Sequence, residues 1–171
     1  MYKIGDFVVY GIEGVCIIND IVTKSFGSLD NAQYYVLVPA TNKGSTFYVP
    51  VDNQLLTSKM MKLLDYDDIL DLISNTKALE WENNNKLRAK QYKEVFSSYN
   101  REGLFSLAKL LHLAKSGKIP SVKKLYAMDD EIIRRISQLL YLEFAYSVDI
   151  EIDQVLPFVA GEIQCSRKEM N

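Results

Sequence analysis

The chain has 171 residues, 48% hydrophobic and 25% charged, a mix that suits a folded globular protein with room for one domain or two small ones. Its formal net charge of -2 and pI of about 5.5 exclude a protein that binds nucleic acid unaided through a uniformly basic surface. Any contact with DNA must be local, or something else must bring the protein there.

Residues 1–62 read as strands. Phe7-Val8-Val9-Tyr10 is followed by Gly11 and Gly14, and Val15 to Ile18 runs on through Ile21 and Val22. A turn-rich stretch holding Ser25, Gly27, Ser28, Asp30 and Asn31 precedes Tyr34-Tyr35-Val36-Leu37-Val38. A second turn, Thr41 to Ser45, leads into Thr46 to Val49, which Pro50 closes. Short β-branched and aromatic runs broken by Gly, Asn and Pro predict a small antiparallel sheet or barrel of the SH3-like or Tudor-like kind. About 60 residues lies near the lower limit for an independent core.

From residue 63 to 171 the spacing becomes helical. Asp67 and Asp68 open a helix through Ile69, Leu70, Leu72 and Ile73, with acids where the helix dipole favours them. Further helices are predicted over 83–99 and 102–116, the latter stopped by Gly117. Asp129-Asp130-Glu131 starts another, with Ile132, Ile133, Ile136, Leu139, Leu140 and Phe144 at three- and four-residue steps. A last helix over 149–163 is expected to kink or split at Pro157. The whole is an α+β chain of two domains, a small β barrel followed by an α-helical bundle, with a frayed polar tail from Cys165 to Asn171.

Catalytic chemistry has little to build on. His112 is the single histidine, and its setting, Leu110-Leu111-His112-Leu113, predicts a partly buried helix residue rather than a triad base. No phosphate-binding glycine loop follows a strand. Asp67/Asp68, Glu80/Glu82 and Asp129/Asp130/Glu131 all lie near predicted helix starts, where capping explains them. Cys16 and Cys165 are too far apart, with one histidine, for a four-ligand zinc site, and they read as reduced thiols. No cofactor or metal is expected. The N-terminal sequence goes straight into a strand, and no apolar run would span a bilayer, so the expected compartment is the cytoplasm.

Binding features are clearer. Trp81 is the only tryptophan, set among acids and amides in Leu79-Glu80-Trp81-Glu82-Asn83-Asn84-Asn85. A tryptophan usually packs a helix seam, but these polar neighbours favour an exposed ring, and an exposed ring can wedge against a base step. Lys86, Arg88, Lys90 and Lys93 follow it, with Lys86, Lys90 and Lys93 on one helical face. A second patch, Lys115, Lys118, Lys123 and Lys124, surrounds the turn from Gly117 to Pro120, and Arg134-Arg135 adds to it. Lysine runs are often no more than solvated faces; two of them beside one tryptophan point to phosphate contact that is weak, salt-sensitive and indifferent to sequence. In the β half, strand alternation predicts that one residue of each pair, Tyr34/Tyr35 and Phe47/Tyr48, faces outwards, leaving a strand edge open to a protein partner.

The set Lys3 to Tyr10, Gly14-Val15, Tyr34 to Leu37 and Phe47 to Val51 resembles the N-terminal module of the CarD/CdnL family, which the transcription-repair coupling factor also carries. The likeness continues through the lone tryptophan before a basic helix, Leu107 to Leu111, and Leu142-Glu143-Phe144-Ala145, as far as about Ser147. It implies a Tudor-like domain that binds the β subunit of RNA polymerase, and a helical domain that meets DNA at the upstream edge of the promoter bubble. The family's tryptophan, matched by Trp81, wedges at the junction of single and double strand and stabilises the open complex. Family basic residues on the polymerase side fall near Lys24 and at about Tyr48, an aromatic replacement. Glu82-Asn83-Asn84-Asn85 stands where relatives tend to be basic, which shifts the expected phosphate contacts to Lys86, Arg88 and Lys90.

The expected protein is thus a non-enzymatic, monomeric transcription regulator. Trp81, Lys86, Arg88, Lys90, Lys93, Lys123 and Lys124 would meet promoter DNA, and Lys24, Tyr35, Leu37, Phe47 and Tyr48 would meet polymerase. The rivals are an adaptor that binds polymerase without touching DNA, and a ligand-responsive or enzymatic protein centred on His112.

Overall fold

A computed structural model of the chain describes residues 1–26, 29–98 and 100–161. They form two compact units, Met1–Leu63 and a second beginning at Leu64.

The first unit is an antiparallel sheet of β1 (Phe7–Tyr10), β2 (Val15–Phe26), β3 (Leu29–Pro39), β4 (Phe47–Pro50) and β5 (Met60–Lys62), in the order β4-β3-β2-β1-β5. This is the Tudor-like β architecture expected from the sequence. A short helix, α1 (Gln54–Thr57), precedes β5 and is started by the Asn53 side chain, which accepts from the Leu56 amide at 3.1 Å. The β-branched and aromatic alternation turns Val8, Cys16, Ile18, Tyr35, Leu37, Val49 and Met60 into one core. Gly14 makes the tight return from β1 to β2 at φ +71°, where any other residue would be strained. Register shifts between Ile18 and Asp20 and between Lys24 and Phe26 bend the long β2 strand. Of the turn expected around Ser25 to Asn31, Gly27 and Ser28 lie outside the described residues.

The second unit is helical: α2 (Tyr66–Asn75), α3 (Asn85–Ser98), α4 (Arg101–Lys115), α5 (Ala127–Ile136), α6 (Leu142–Val148) and α7 (Val155–Val159). Asp65 caps α2 by accepting from the Asp68 amide at 2.8 Å, and Asn100 caps α4 through the Gly103 amide at 2.5 Å. The chain leaves α4 through Gly117 at φ +70°. The core gathers Leu104, Phe105, Leu107, Leu110 and Leu111 of α4 with Ile132, Ile136 and Phe144. A single π turn, Ser137–Tyr141, joins α5 to α6 and buries Leu139, Leu140 and Tyr141 in succession. Glu143 is buried beside it. Its carboxylate accepts from Arg101 Nη2 at 2.7 Å, Arg101 Nε at 3.1 Å and the Leu64 amide at 3.0 Å. Burial pushes its pKa up, against the opposing pull of Arg101 and the Leu64 amide.

Two expectations need correction here. His112 is exposed rather than partly buried, because its position on α4 points away from the inward stripe of Leu107, Leu111 and Ala114. The expected final helix is replaced by a 3-10 turn, Ile152–Gln154, and the short α7, with Pro157 in the first turn where its missing N–H leaves no gap. The expected tail from Cys165 lies outside the described residues. Among the described residues, no helix is long and apolar enough to cross a membrane.

Candidate nucleic-acid and protein interfaces

Helix α3 divides its residues by face. Lys86, Lys90 and Lys93 are exposed, with Lys90 Nζ 3.8 Å from the Glu94 carboxylate one turn on. Arg88, Tyr92 and Phe96, at four-residue steps, are buried. Arg88 is therefore not a surface phosphate anchor, which corrects the sequence expectation: its side chain is only 1% exposed and points into the bundle.

The reason lies on α5. Asp129, 0% exposed, accepts from Arg88 Nε at 3.0 Å, Arg88 Nη2 at 3.3 Å, the Tyr92 hydroxyl at 2.8 Å and the Tyr126 amide at 2.8 Å. The last contact also holds the first turn of α5. Arg88 Nη1 donates to the Glu82 carbonyl at 2.8 Å. Burial alone would lower the Arg88 pKa, but the hydrogen-bonded Asp129 carboxylate more than offsets it, so the guanidinium stays charged. Burial and the same carboxylate push the Tyr92 phenol up, so the phenol keeps its proton and donates it in the hydrogen bond to Asp129.

With its hydrogen bonds made in plane, the guanidinium turns a face to Trp81, whose ring centroid lies 4.4 Å from Cζ. Trp81 is half-buried against the edge of the core, not fully exposed as the polar neighbours suggested. Its segment is fastened on both sides. Before it, the Leu79 amide donates to the Ser106 carbonyl at 3.3 Å, and Ser106 Oγ to the Lys77 carbonyl at 2.6 Å. After it, Glu82 accepts from the Asn84 amide at 2.7 Å, and Asn84 caps α3 through the Lys86 amide at 2.9 Å. The acid and amides following Trp81 thus build the start of α3.

Arg88 also brings the second basic patch into reach. Its Cζ lies 5.7 Å from the Tyr126 ring centroid, and Lys124 Nζ lies 5.9 Å from the same ring. Tyr126 is 47% exposed, and Lys123 and Lys124 are both at the surface. Trp81, Arg88, Tyr126 and Lys124 therefore form one cluster. Arg135 instead stacks on Phe96 at 4.1 Å, and Arg134 pairs with Glu131. Sequence reasoning missed Tyr126, Asp129 and Tyr92 as parts of this site. Asp129 showed only as a helix-start acid, and nothing local pairs it with an arginine 41 positions earlier.

In the first unit, the residues expected at the polymerase surface separate. Tyr35 and Leu37 belong to the core, which corrects their assignment as docking side chains. Tyr34 is on the opposite face yet also buried, because the Tyr48 ring of β4 packs on it at 6.5 Å, edge to face. Phe47 is half-buried, 6.3 Å from the Tyr10 ring. Lys24 and Tyr48 do meet at the surface. Lys24 Nζ donates to the Tyr48 hydroxyl at 3.3 Å and sits 4.8 Å from the ring centroid, while Tyr48 remains 40% exposed. Lys24 stands on the central strand β2 and Tyr48 on β4, an edge strand paired to β3 through Leu37↔Phe47 to Tyr34↔Pro50.

Residues 2–61, nearly all of this unit, match the family model of the CarD-like/TRCF RID domain. The N-terminal unit belongs to that family. The RID domain marks the chain as an RNA polymerase-interacting, transcription-related protein. The match ends before the helical unit begins, so the cluster around Trp81 stands on its own geometry. A search of curated proteins found no match to the chain. Within the RID core, Cys16 is fully buried, and burial pushes its thiol up to about 12, so it is a neutral packing group and not a nucleophile. Among the described residues, no group of His, Cys, Asp and Glu is arranged to hold a metal ion.

Proposed function

We propose that the RID unit docks on the β subunit of RNA polymerase through the surface around Lys24 and Tyr48. The helical unit then presses Trp81 against promoter DNA at the upstream edge of the bubble. Lys86, Lys90 and Lys93 of α3, with Lys123 and Lys124, contact phosphates. Binding the open complex in preference to the closed one raises its population by that difference in affinity alone, and no chemistry is needed. The observation that supports this best is the mounting of Trp81: the chain's single tryptophan is half-buried, backed by a charged guanidinium, and followed by a helix with a lysine face. A net charge of -2 fits such a division of labour, with polymerase supplying the proximity that a few lysines could not.

The test is a Trp81→Ala variant in promoter-opening kinetics. The expected result is a shorter open-complex lifetime with polymerase binding unchanged; an unaltered lifetime would remove the wedge. The negative net charge also favours a second reading, an adaptor that occupies polymerase without touching DNA. Reversing Lys86, Lys90 and Lys93 to Glu distinguishes the two. Loss of promoter activity, with the wild-type effect fading as salt rises, supports DNA contact, and full activity supports the adaptor.

A further inference from the structure

We infer that Arg88 is a positioning residue, held by Asp129 so that its guanidinium fixes the orientation in which the Trp81 ring is presented. The inference rests on the proposed role of Trp81 in DNA contact. A half-buried indole at the edge of a core can take several rotamers at little cost, and a ring that must enter a base step needs one of them. Arg88 restricts the choice from beneath. Its Nε and Nη2 are committed to Asp129 and its Nη1 to the Glu82 carbonyl, one residue from Trp81, so the plane of the guanidinium is fixed by three directions of hydrogen bonding. The face left over lies 4.4 Å from the Trp81 ring. Asp129 is in turn tied to α5 through the Tyr126 amide and to α3 through the Tyr92 hydroxyl. The orientation of the ring is thereby referred to two helices and not only to its own loop. Lysine could replace the charge but not this geometry, since an ammonium has neither a plane to stack nor a fork to engage a carboxylate at two points.

Because Trp81 is the only tryptophan, fluorescence of the full chain excited at the red edge, beyond tyrosine absorption, reports on it alone. The variant Arg88→Met/Asp129→Asn removes both charges together, which avoids stranding either one in the core. With circular dichroism unchanged, the expected result is a red-shifted emission, readier acrylamide quenching and lower anisotropy. On polymerase and promoter, the open-complex lifetime should fall towards that of Trp81→Ala. The control Arg101→Met/Glu143→Gln removes the other buried pair, which binds Leu64 instead, and should leave the emission in place. If the Arg88/Asp129 double variant does not fold, Arg88→Lys decides, with partial release of the ring expected. Unchanged emission and quenching in whichever variant folds overturns the inference. So does equal release in the control, or a released ring with a normal lifetime where Trp81→Ala shortens it. Should Trp81→Ala itself leave the lifetime unaltered, the proposed function fails, while the fluorescence still judges whether Arg88 mounts the ring.

Discussion

Replacing Asp129 with alanine gives the sharpest energetic test of the cluster. The substitution strands the Arg88 guanidinium, only 1% exposed, and removes the acceptor for the Tyr92 hydroxyl and the Tyr126 amide. Breaking a buried ion pair by deleting one partner costs about 3–5 kcal/mol, because the remaining charge has neither water nor counter-ion. Losing the contact at the start of α5 would add about 1 kcal/mol in isolation. The two losses share one carboxylate, so they do not simply add, and a cost of about 4 kcal/mol is expected. Folded domains of this size are stable by only about 5–15 kcal/mol, so the melting point should fall by roughly 15 °C or more. Urea and thermal unfolding followed by tryptophan fluorescence read this directly, since the single tryptophan sits in the helical unit. In an Arg88→Met background the same change should cost less by about 2 kcal/mol or more. A cost below about 1 kcal/mol for Asp129→Ala alone, or strict additivity with Arg88→Met, would show that the pair does not brace α3 against α5.

Other consequences follow from particular groups. Burial raises the Glu143 pKa in spite of Arg101, so the folded state holds that proton more tightly than the unfolded chain does. Its ionised form therefore costs stability at neutral pH, and the cost is relieved as pH falls through the raised folded value towards 4.5. Between pH 7 and 4.5, the wild type should gain stability relative to Glu143→Gln in urea titrations; a relative loss contradicts the assignment. Cys16, with its thiol pushed up to about 12 by burial, should resist iodoacetamide at pH 8 until urea is added, as followed by peptide mass mapping. Above pH 9 the unfolded thiol ionises and the folded one does not, so this group withdraws stability as pH rises further. Leu37→Ala should destabilise the RID unit by about 2–5 kcal/mol in circular-dichroism melts. Tyr48→Ala should cost about 1 kcal/mol and weaken polymerase pull-down without unfolding. Reversal of that order would return Leu37 to the docking surface.

What could be read from the sequence was whatever repeats locally. Alternation in β1 and β3, the acid-led start of α2 and the lysine face of α3 all follow from spacing within a few residues. The errors come where a partner lies far along the chain. Arg88 looks like one more cation among Lys86, Lys90 and Lys93, and only the packing of α3 on α5 shows that it shares a stripe with Tyr92 and Phe96. In the sheet, alternation correctly sends Tyr34 and Tyr35 to opposite faces, but it does not show that Tyr48 on the next strand covers Tyr34. Trp81 was drawn outward by its polar neighbours. Those neighbours proved to serve backbone amides at the start of α3 and say little about where the ring lies.

A buried ion pair is weak evidence of a need for stability, since well-packed apolar residues can hold two helices as firmly. What an apolar pair cannot supply is a planar cation held by hydrogen bonds along its edge and offering its face to a ring. At positions 88 and 129 that distinction is open to experiment. Selection for thermal stability alone should admit apolar pairs, some of them more stable than Arg88 with Asp129. Those same variants should show a mobile Trp81 and shorter open-complex lifetimes. An apolar pair that kept both the ring and the lifetime would reduce the Arg88–Asp129 contact to ordinary packing.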